Sequence, residues 1–501
     1  MDNMSLKKNI ISNYASQAYV TLIGITVVPL YIKYMGAEAY GLVGVFILLQ
    51  TLFNMLDMGL SPTVARETAR LSGGGTDPLT YRQFVRALEL IFLVVAILDS
   101  VTLIALSSNI ASDWLKLERL SHEQIEDSLK IISLAVSFRW MSVLYRGVIT
   151  GAERLVWLSA TNSIIATVRF ILVIPILVAS NGNVLIFFIY QLVISIFELV
   201  ILVYYSYLII PRINRGDKIN WQWGVLKNKV GFSLTIAFTS TVWVLVTQTD
   251  KLVLSKILSL SDYGYFTLGV LVASAVLTVS GPISTAILPR LVRLEAQNNQ
   301  TALLSLYRDS TQLVAVIAGA SSISIAYCAN TLLMAWTGDP HISEMSSQIL
   351  ALYAMGNGFL CIAAFPYYLQ YAKGDLRLHL YFNVIFVLVL VPTIAWAANK
   401  YGAAGAGWVW LGMNGLPLLI WVPVVHKKFA PELNIKWFFH DVLPVILPMA
   451  ICGYFINQVL PPVQERFQQM LLCVFFGIVL LITGALSSSV FRRRMTVMIR
   501  T

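Results

Sequence analysis

Apolar runs recur along nearly the whole chain, parted by short polar, basic or glycine-bearing turns. A helix needs about 20 consecutive apolar residues to cross the hydrocarbon core of a bilayer. The runs place fourteen such spans, near residues 10–32, 40–60, 84–107, 129–149, 155–180, 184–208, 229–254, 264–288, 309–333, 347–371, 378–398, 404–425, 441–460 and 468–489. The turns between them are too short to hold a soluble domain. The pattern predicts an all-α, polytopic membrane protein.

Polar landmarks inside this pattern occur twice, about 221 to 227 residues apart. Ala39-Tyr40-Gly41 returns as Asp262-Tyr263-Gly264, and Pro62-x-x-x-Arg66 as Pro289-x-x-x-Arg293. Gly151-Ala152-Glu153-Arg154 returns as Lys373-Gly374-Asp375-Leu376-Arg377, with Asn162 and Asn383 following. Each copy holds an even number of spans, so the copies run parallel and not inverted. The expected layout is two six-helix lobes, residues 1–215 and 216–430, related by a pseudo-twofold along the membrane normal. Two further helices and a basic tail follow, residues 431–501. Duplicated bundles around a central site are a transporter architecture. Tyr40 and Tyr263 read as headgroup anchors, with the adjacent glycines giving the turn its backbone freedom.

Hydrophobic residues make up 57% of the chain and charged ones 12%, against about 25% charge in soluble domains. The formal charge of +10 does not point to nucleic acid, because its placement follows the membrane. With the N-terminus inside, 24 of the 35 Lys and Arg fall at inside ends, 8 at outside ends and three within spans. This bias sets both termini in the cytoplasm. The first apolar run is too long for a signal peptide and reads as a retained span. Cys328, Cys361, Cys452 and Cys473 form no C-x-x-C pair, and no phosphate-binding loop is present, so neither a metal, a cofactor nor ATP hydrolysis is expected.

Several short motifs carry a family resemblance: Met35-Gly36-x-x-x-Tyr40-Gly41, Asp57-x-Gly59-Leu60, Gly151-x-Glu153-Arg154, and Asp250-Lys251 ahead of Ser261-Asp262-Tyr263-Gly264-Tyr265. In this order the chain resembles the polysaccharide transporter family of the multidrug/oligosaccharidyl-lipid/polysaccharide exporter superfamily, and in particular O-antigen and capsule repeat-unit flippases of the Wzx type. The resemblance implies a bacterial inner-membrane carrier that moves undecaprenyl-diphosphate-linked oligosaccharides from the cytoplasmic to the periplasmic leaflet by alternating access. It implies the lipid-linked oligosaccharide, membrane lipid and glycan polymerase machinery as partners, and no catalysis. A cation-coupled drug exporter of the same superfamily is the alternative within transport. A membrane polysaccharide polymerase or ligase is the alternative of another class, although the longest outer loop, near 108–128, reads only as a short amphipathic helix with a solvated acidic face.

Ionisable groups in hydrocarbon are costly and face a protein interior or a wet cavity. In span 4, Arg139, Ser142 and Arg146 share a face; in span 5, Asn162 and Arg169 align; in span 6, Gln191, Ser195 and Glu198 align. In span 2, Gln50, Asn54, Asp57 and Ser61 fall on one helical face, and Glu89, Asp99 and Asp250 add carboxylates in spans 3 and 7. Arg139, Arg146 and Arg169 are the candidate diphosphate ligands, since a planar guanidinium grips phosphate oxygens bidentately. Asn54, Asn162 and Tyr368 are candidate sugar contacts, the last on a face traced by Tyr353, Asn357, Ala364, Tyr368 and Tyr371. The other reading stays open: the arginines pair with Glu198, Asp99 or Asp57 to lock helices, Arg146 snorkels to the headgroups, and the tyrosine face is packing. Asp57, Glu198 and Asp250 are candidates for binding a coupling proton or sodium ion. Prolines within spans predict bends, those at Pro29 and Pro282 being candidates for movement between access states.

Overall fold

A computed structural model describes residues 3–57, 59–72, 74–211, 244–433, 435–459 and 463–493. Among these, every regular element is a helix, and twelve helical stretches are long and apolar enough to cross a membrane. We number the helices α1 (Asn3–Thr26), α2 (Val28–Met35), α3 (Ala37–Asn54), α4 (Leu60–Ser72), α5 (Pro78–Asn109), α6 (His122–Gly151), α7 (Leu155–Phe170), α8 (Val173–Ala179), α9 (Val184–Ile209), α10 (244–257), α11 (Leu260–Ala273), α12 (Ala275–Ala296), α13 (Gln300–Tyr327), α14 (Ala329–Thr337), α15 (Pro340–Ala363), α16 (Phe365–Ala372), α17 (Arg377–Phe429), α18 (Leu443–Val459) and α19 (Arg466–Ser487). The expected span at 229–254 lies largely outside the described residues. The stretch α17 is divided at Gly402, whose φ of 62° and ψ of −147° are not helical, between the two spans expected there.

The chain forms two compact units, Met1–Gly264 and Tyr265–Thr501. In the first, α6 is the central helix and packs on α3, α4, α5 and α9. Its apolar face is fully covered: Ile132, Val136, Trp140 and Val148 are buried, and Trp140 stacks on Phe92 of α5 with ring centroids 4.4 Å apart. Helices in lipid gain little from burial of apolar surface, so small residues that admit close backbone contact decide where they touch. Gly147 and Gly151 do this for α6. A Cβ at Gly147 would lie 2.9 Å from the Ser61 carbonyl oxygen, and one at Gly151 would lie 2.2 Å from that of Ala65, both on α4. Gly151 is therefore a packing residue at the end of α6, and the turn itself is made by Glu153 at φ 59°. Hydroxyls join α1 to α7: Ser16 donates to the Ser159 carbonyl at 2.9 Å, and Tyr19 meets Thr167 at 2.8 Å.

The repeated Tyr-Gly pairs have a different role from the one their positions suggest. Tyr40 and Tyr263 are 3% and 0% exposed, so neither is a headgroup anchor. Both glycines sit at a helix crossing. A Cβ on Gly41 would lie 1.9 Å from the Leu260 carbonyl oxygen, and one on Gly264 would lie 2.5 Å from that of Ala37. The outer loop also departs from expectation. It is a π-turn at Ile110–Trp114 followed by irregular chain, not an amphipathic helix. Buried Glu38 accepts the backbone N–H groups of Glu118, Arg119 and Leu120 at 2.7, 2.9 and 3.1 Å, and these bonds fix the loop in place of helical ones.

In the second unit α13 is central, packing on α12, α15, α18 and α19. A polar network around the buried Asp441 and Gln312 ties the last two helices to it. Asp441 receives Arg308 Nε at 2.7 Å, Arg308 Nη2 at 3.0 Å and Gln312 Nε2 at 2.8 Å. Gln312 Oε1 in turn accepts from Ser488, Ser489 and the N–H of Val490.

Helix breaks fall just before Pro29, Pro175 and Pro366, at 27, 171–172 and 364, because proline lacks the N–H and clashes with the preceding turn. Position 282 is a correction: α12 runs through it unbroken, and the interruption lies at Ser274.

Gly41→Ala should lower the thermal unfolding temperature of the detergent-purified protein, with a loss of about 1–3 kcal/mol from overpacking. Gly24→Ala is the control, because a Cβ there meets nothing within 4 Å. An unchanged melting temperature for Gly41→Ala would contradict the close crossing.

Candidate functional site

The three intramembrane arginines of the first unit gather around one carboxylate. Glu198 projects from α9 toward α6 and α7 and is 4% exposed. Arg146 of α6 donates through Nη2 to Glu198 Oε1 and through Nη1 to Asn162 Oδ1. Arg169 of α7 donates through Nη2 to Glu198 Oε2. Each carboxylate oxygen thus holds its own guanidinium. Gln191, one heptad before Glu198, donates to the Arg169 carbonyl at 3.4 Å. Arg139, one heptad before Arg146, is half-buried with its guanidinium 5.3 Å from the centre of the Phe46 ring. It lies within electrostatic reach of Arg146, Arg169 and Glu198.

Among the described residues, three guanidiniums around one carboxylate leave a formal excess of two positive charges. Their accessibility differs. The Arg169 side chain is 9% exposed and its Nε has no hydrogen-bond partner among the described residues, whereas 30% of the Arg146 side chain remains accessible. Arg169 is thus sealed inside the unit, whereas the Arg146 side chain keeps access. Arg146 is not a snorkelling residue, because its guanidinium is turned inward to Glu198 and Asn162.

The other expected site residues are scattered. The face expected in span 2 does not exist as one helical stripe: α3 ends at Asn54, a single 3-10 turn follows, and Gly59 at φ 71° starts a new direction. Asn54 is exposed. Asp57 accepts from the N–H of Ser61 at 3.1 Å and from its hydroxyl at 2.6 Å, so it serves the start of α4. Asp250 is 1% exposed and accepts from the N–H of Lys251 at 2.8 Å, with Lys251 Nζ at 3.8 Å. The tyrosine face of span 10 is also interrupted, because the helix breaks at Ala364. Tyr353 is stacked on Trp410 in the core, and Asn357 is occupied by the Ala273 carbonyl and the Trp410 N–H. Tyr368 remains half-buried against Phe365 and Tyr367. Glu89 is held by two tyrosines from α6 and α9. Oδ2 of Asp99 is buried without a hydrogen-bond partner among the described residues.

Comparison with known proteins fits this architecture. The family profile described as "Polysaccharide biosynthesis protein" matches residues 6–295. The "Putative O-antigen transporter" of Shigella flexneri is 21% identical over 419 residues, covering 81% of this chain and 94% of that protein. Among solved structures, a lipid II flippase MurJ in an inward closed conformation superposes with a TM-score of 0.69 at 14% identity, covering 97% of this chain and 100% of the other. An inward-facing multidrug resistance MATE family transporter of the MOP superfamily gives 0.66 at 13% identity, covering 82% and 96%. At these identities the two structures establish the fold.

Glu198→Gln removes the counter-charge of two guanidiniums, one of them sealed, and such losses cost about 3–5 kcal/mol. The variant should unfold at a clearly lower temperature. Adding Arg169→Gln should recover part of the loss. A double variant no better than the single one would show that Arg169 does not depend on Glu198.

Proposed function

This chain belongs to the polysaccharide biosynthesis protein family, and from that premise we propose that it is a flippase for undecaprenyl-diphosphate-linked oligosaccharide repeat units of the O-antigen or capsule kind. In this reading it moves them from the cytoplasmic to the periplasmic leaflet of a bacterial inner membrane by alternating access, with both termini cytoplasmic and glycan polymerase machinery as a downstream partner. The alternation is assigned to two six-helix lobes, 1–215 and 216–430, related by a pseudo-twofold, with 431–501 as an accessory pair of helices.

One observation carries the proposal: the excess of two positive charges around Glu198. A diphosphate leaving water needs charge compensation, and accessible arginines supply it as a bidentate fork. Arg139 and Arg146 take the phosphate oxygens. Arg169, sealed, keeps Glu198 in place and adds to the field. Asn162, held by Arg146, is assigned to the first sugar, and Asn54 and Tyr368 are further candidate sugar contacts. The same excess disfavours a cationic drug as cargo. Glu198 is committed to its two arginines, so coupling to a proton or sodium ion is assigned to Asp57 or Asp250 in preference to Glu198.

In a host with a defined surface glycan, deletion should leave the lipid-linked repeat unit facing the cytoplasm. Complementation with Arg139→Ala or Arg146→Ala should cut display roughly 10-fold or more, the cost of a charged hydrogen bond, while the protein still inserts. Lysine should rescue in part. Normal display by both alanine variants would end the proposed role of these arginines. In proteoliposomes, flipping should accelerate under an imposed proton or sodium gradient, and Asp57→Asn or Asp250→Asn should abolish that response. A rate indifferent to both gradients would remove ion coupling.

A further inference from the structure

A second cluster of charge lies away from the arginine site, where the start of α5 meets the end of α9. A cleft of about 340 Å³ is lined there by Arg82, Val85, Arg86, Glu89, Tyr207 and Ile210. Its frame is fixed. Tyr145 donates to Glu89 Oε1 at 3.0 Å, and Tyr207 donates to the same carboxylate at 2.8 and 3.0 Å. Arg82 Nε donates to the Pro211 carbonyl at 3.1 Å, and its guanidinium lies 5.5 Å from the centre of the Tyr207 ring. Arg86, one turn further along α5, is exposed and makes no hydrogen bond or ion pair with any described residue. Two guanidiniums against one carboxylate leave the cleft with one net positive charge.

The surroundings select the ligand. Arg86, Leu93 and Ile97 fall on one face of α5 by their spacing, and both apolar members are exposed, at 42% and 52%. Tyr207, Tyr204 and Val200 do the same on α9, with Tyr204 and Val200 at 68% and 58%. A cationic cleft thus adjoins two helix faces that each present exposed apolar side chains. From Arg86 to Ile97 the α5 face rises roughly 16 Å at 1.5 Å per residue, about half the thickness of the hydrocarbon core. We propose that this cleft binds the headgroup phosphate of an anionic phospholipid, with Arg86 as its free phosphate ligand and an acyl chain lying against the exposed apolar residues of α5 and α9. A monoanionic headgroup matches the single net charge, whereas a zwitterionic one brings an ammonium against Arg82. Glu89, the floor of the cleft, also holds Tyr145, the neighbour of Arg146 on α6, so the lipid site borders the helix that carries two of the three site arginines.

The test uses the full-length purified protein. Phosphatidylglycerol, phosphatidylcholine, soluble glycerol phosphate and undecaprenyl phosphate are titrated, and bound lipid is read by native mass spectrometry together with the unfolding temperature. Phosphatidylglycerol should bind and stabilise, while phosphatidylcholine and glycerol phosphate at equal concentration should not. Arg86→Gln should weaken phosphatidylglycerol binding about 5-fold, as expected for one basic residue at a membrane surface, and Arg86→Lys should keep most of it. Arg154→Gln, an exposed arginine outside the cleft, should bind as the wild type does. Equal binding of phosphatidylcholine, an unaffected Arg86→Gln, or an equal loss in Arg154→Gln would overturn the proposal. Stabilisation by glycerol phosphate would make it a soluble-anion site. Preferential displacement by undecaprenyl phosphate would make it a station for polyprenyl carriers, and either result likewise overturns it.

Discussion

Charge buried in a membrane-spanning bundle has to be balanced locally, and in the first unit one side chain, Glu198, does most of the balancing. Each of its oxygens is committed to a guanidinium from a different helix, so α6, α7 and α9 are joined at one point. Among the described residues the balance is incomplete in charge, because Arg139 adds a third cation beside the same single carboxylate. Arg169 is held by sequestration and by Glu198. Arg146 keeps access.

The same economy governs packing. Lipid tails are as apolar as leucine, so helix positions are set by where backbones can approach and where polar groups find partners. Gly147 and Gly151 let α4 lie against α6, and Gly41 and Gly264 do so at the crossing near Leu260. Hydroxyls fasten α1 to α7. In the second unit, the buried Asp441 and Gln312 gather Arg308, Ser488 and Ser489 into one knot. Glu38 serves the outer loop in the same manner, replacing absent helical bonds with a carboxylate that takes three N–H groups.

Much of the site was legible. The heptad pairs Arg139–Arg146, Asn162–Arg169 and Gln191–Glu198 pointed inward together, and an Arg–Glu pairing was foreseeable from their depth. That Arg146 is the residue shared by Glu198 and Asn162 was not, because a position near a helix end is compatible equally with snorkelling and with inward reach. The span 2 and span 10 stripes failed for one reason. Helical phase carries across a segment only while the helix is continuous, and Gly59 and the break before Pro366 reset it. Tyr40 and Tyr263 sit where interface tyrosines belong by depth, yet the close crossing of their glycine neighbours encloses them.

The sequence by itself determined the helical, membrane-crossing character of the chain. Hydrocarbon imposes length, apolarity and internal hydrogen bonding on each segment separately, so each span can be read without its neighbours. It also marked which charges lay too deep to be incidental. Only the tertiary structure decided their partners, since that depends on how each helix is rotated and how closely it crosses the next. A rotation of one residue, about 100°, would have turned Glu198 away from both arginines without altering the hydropathy pattern that places α9 in the membrane.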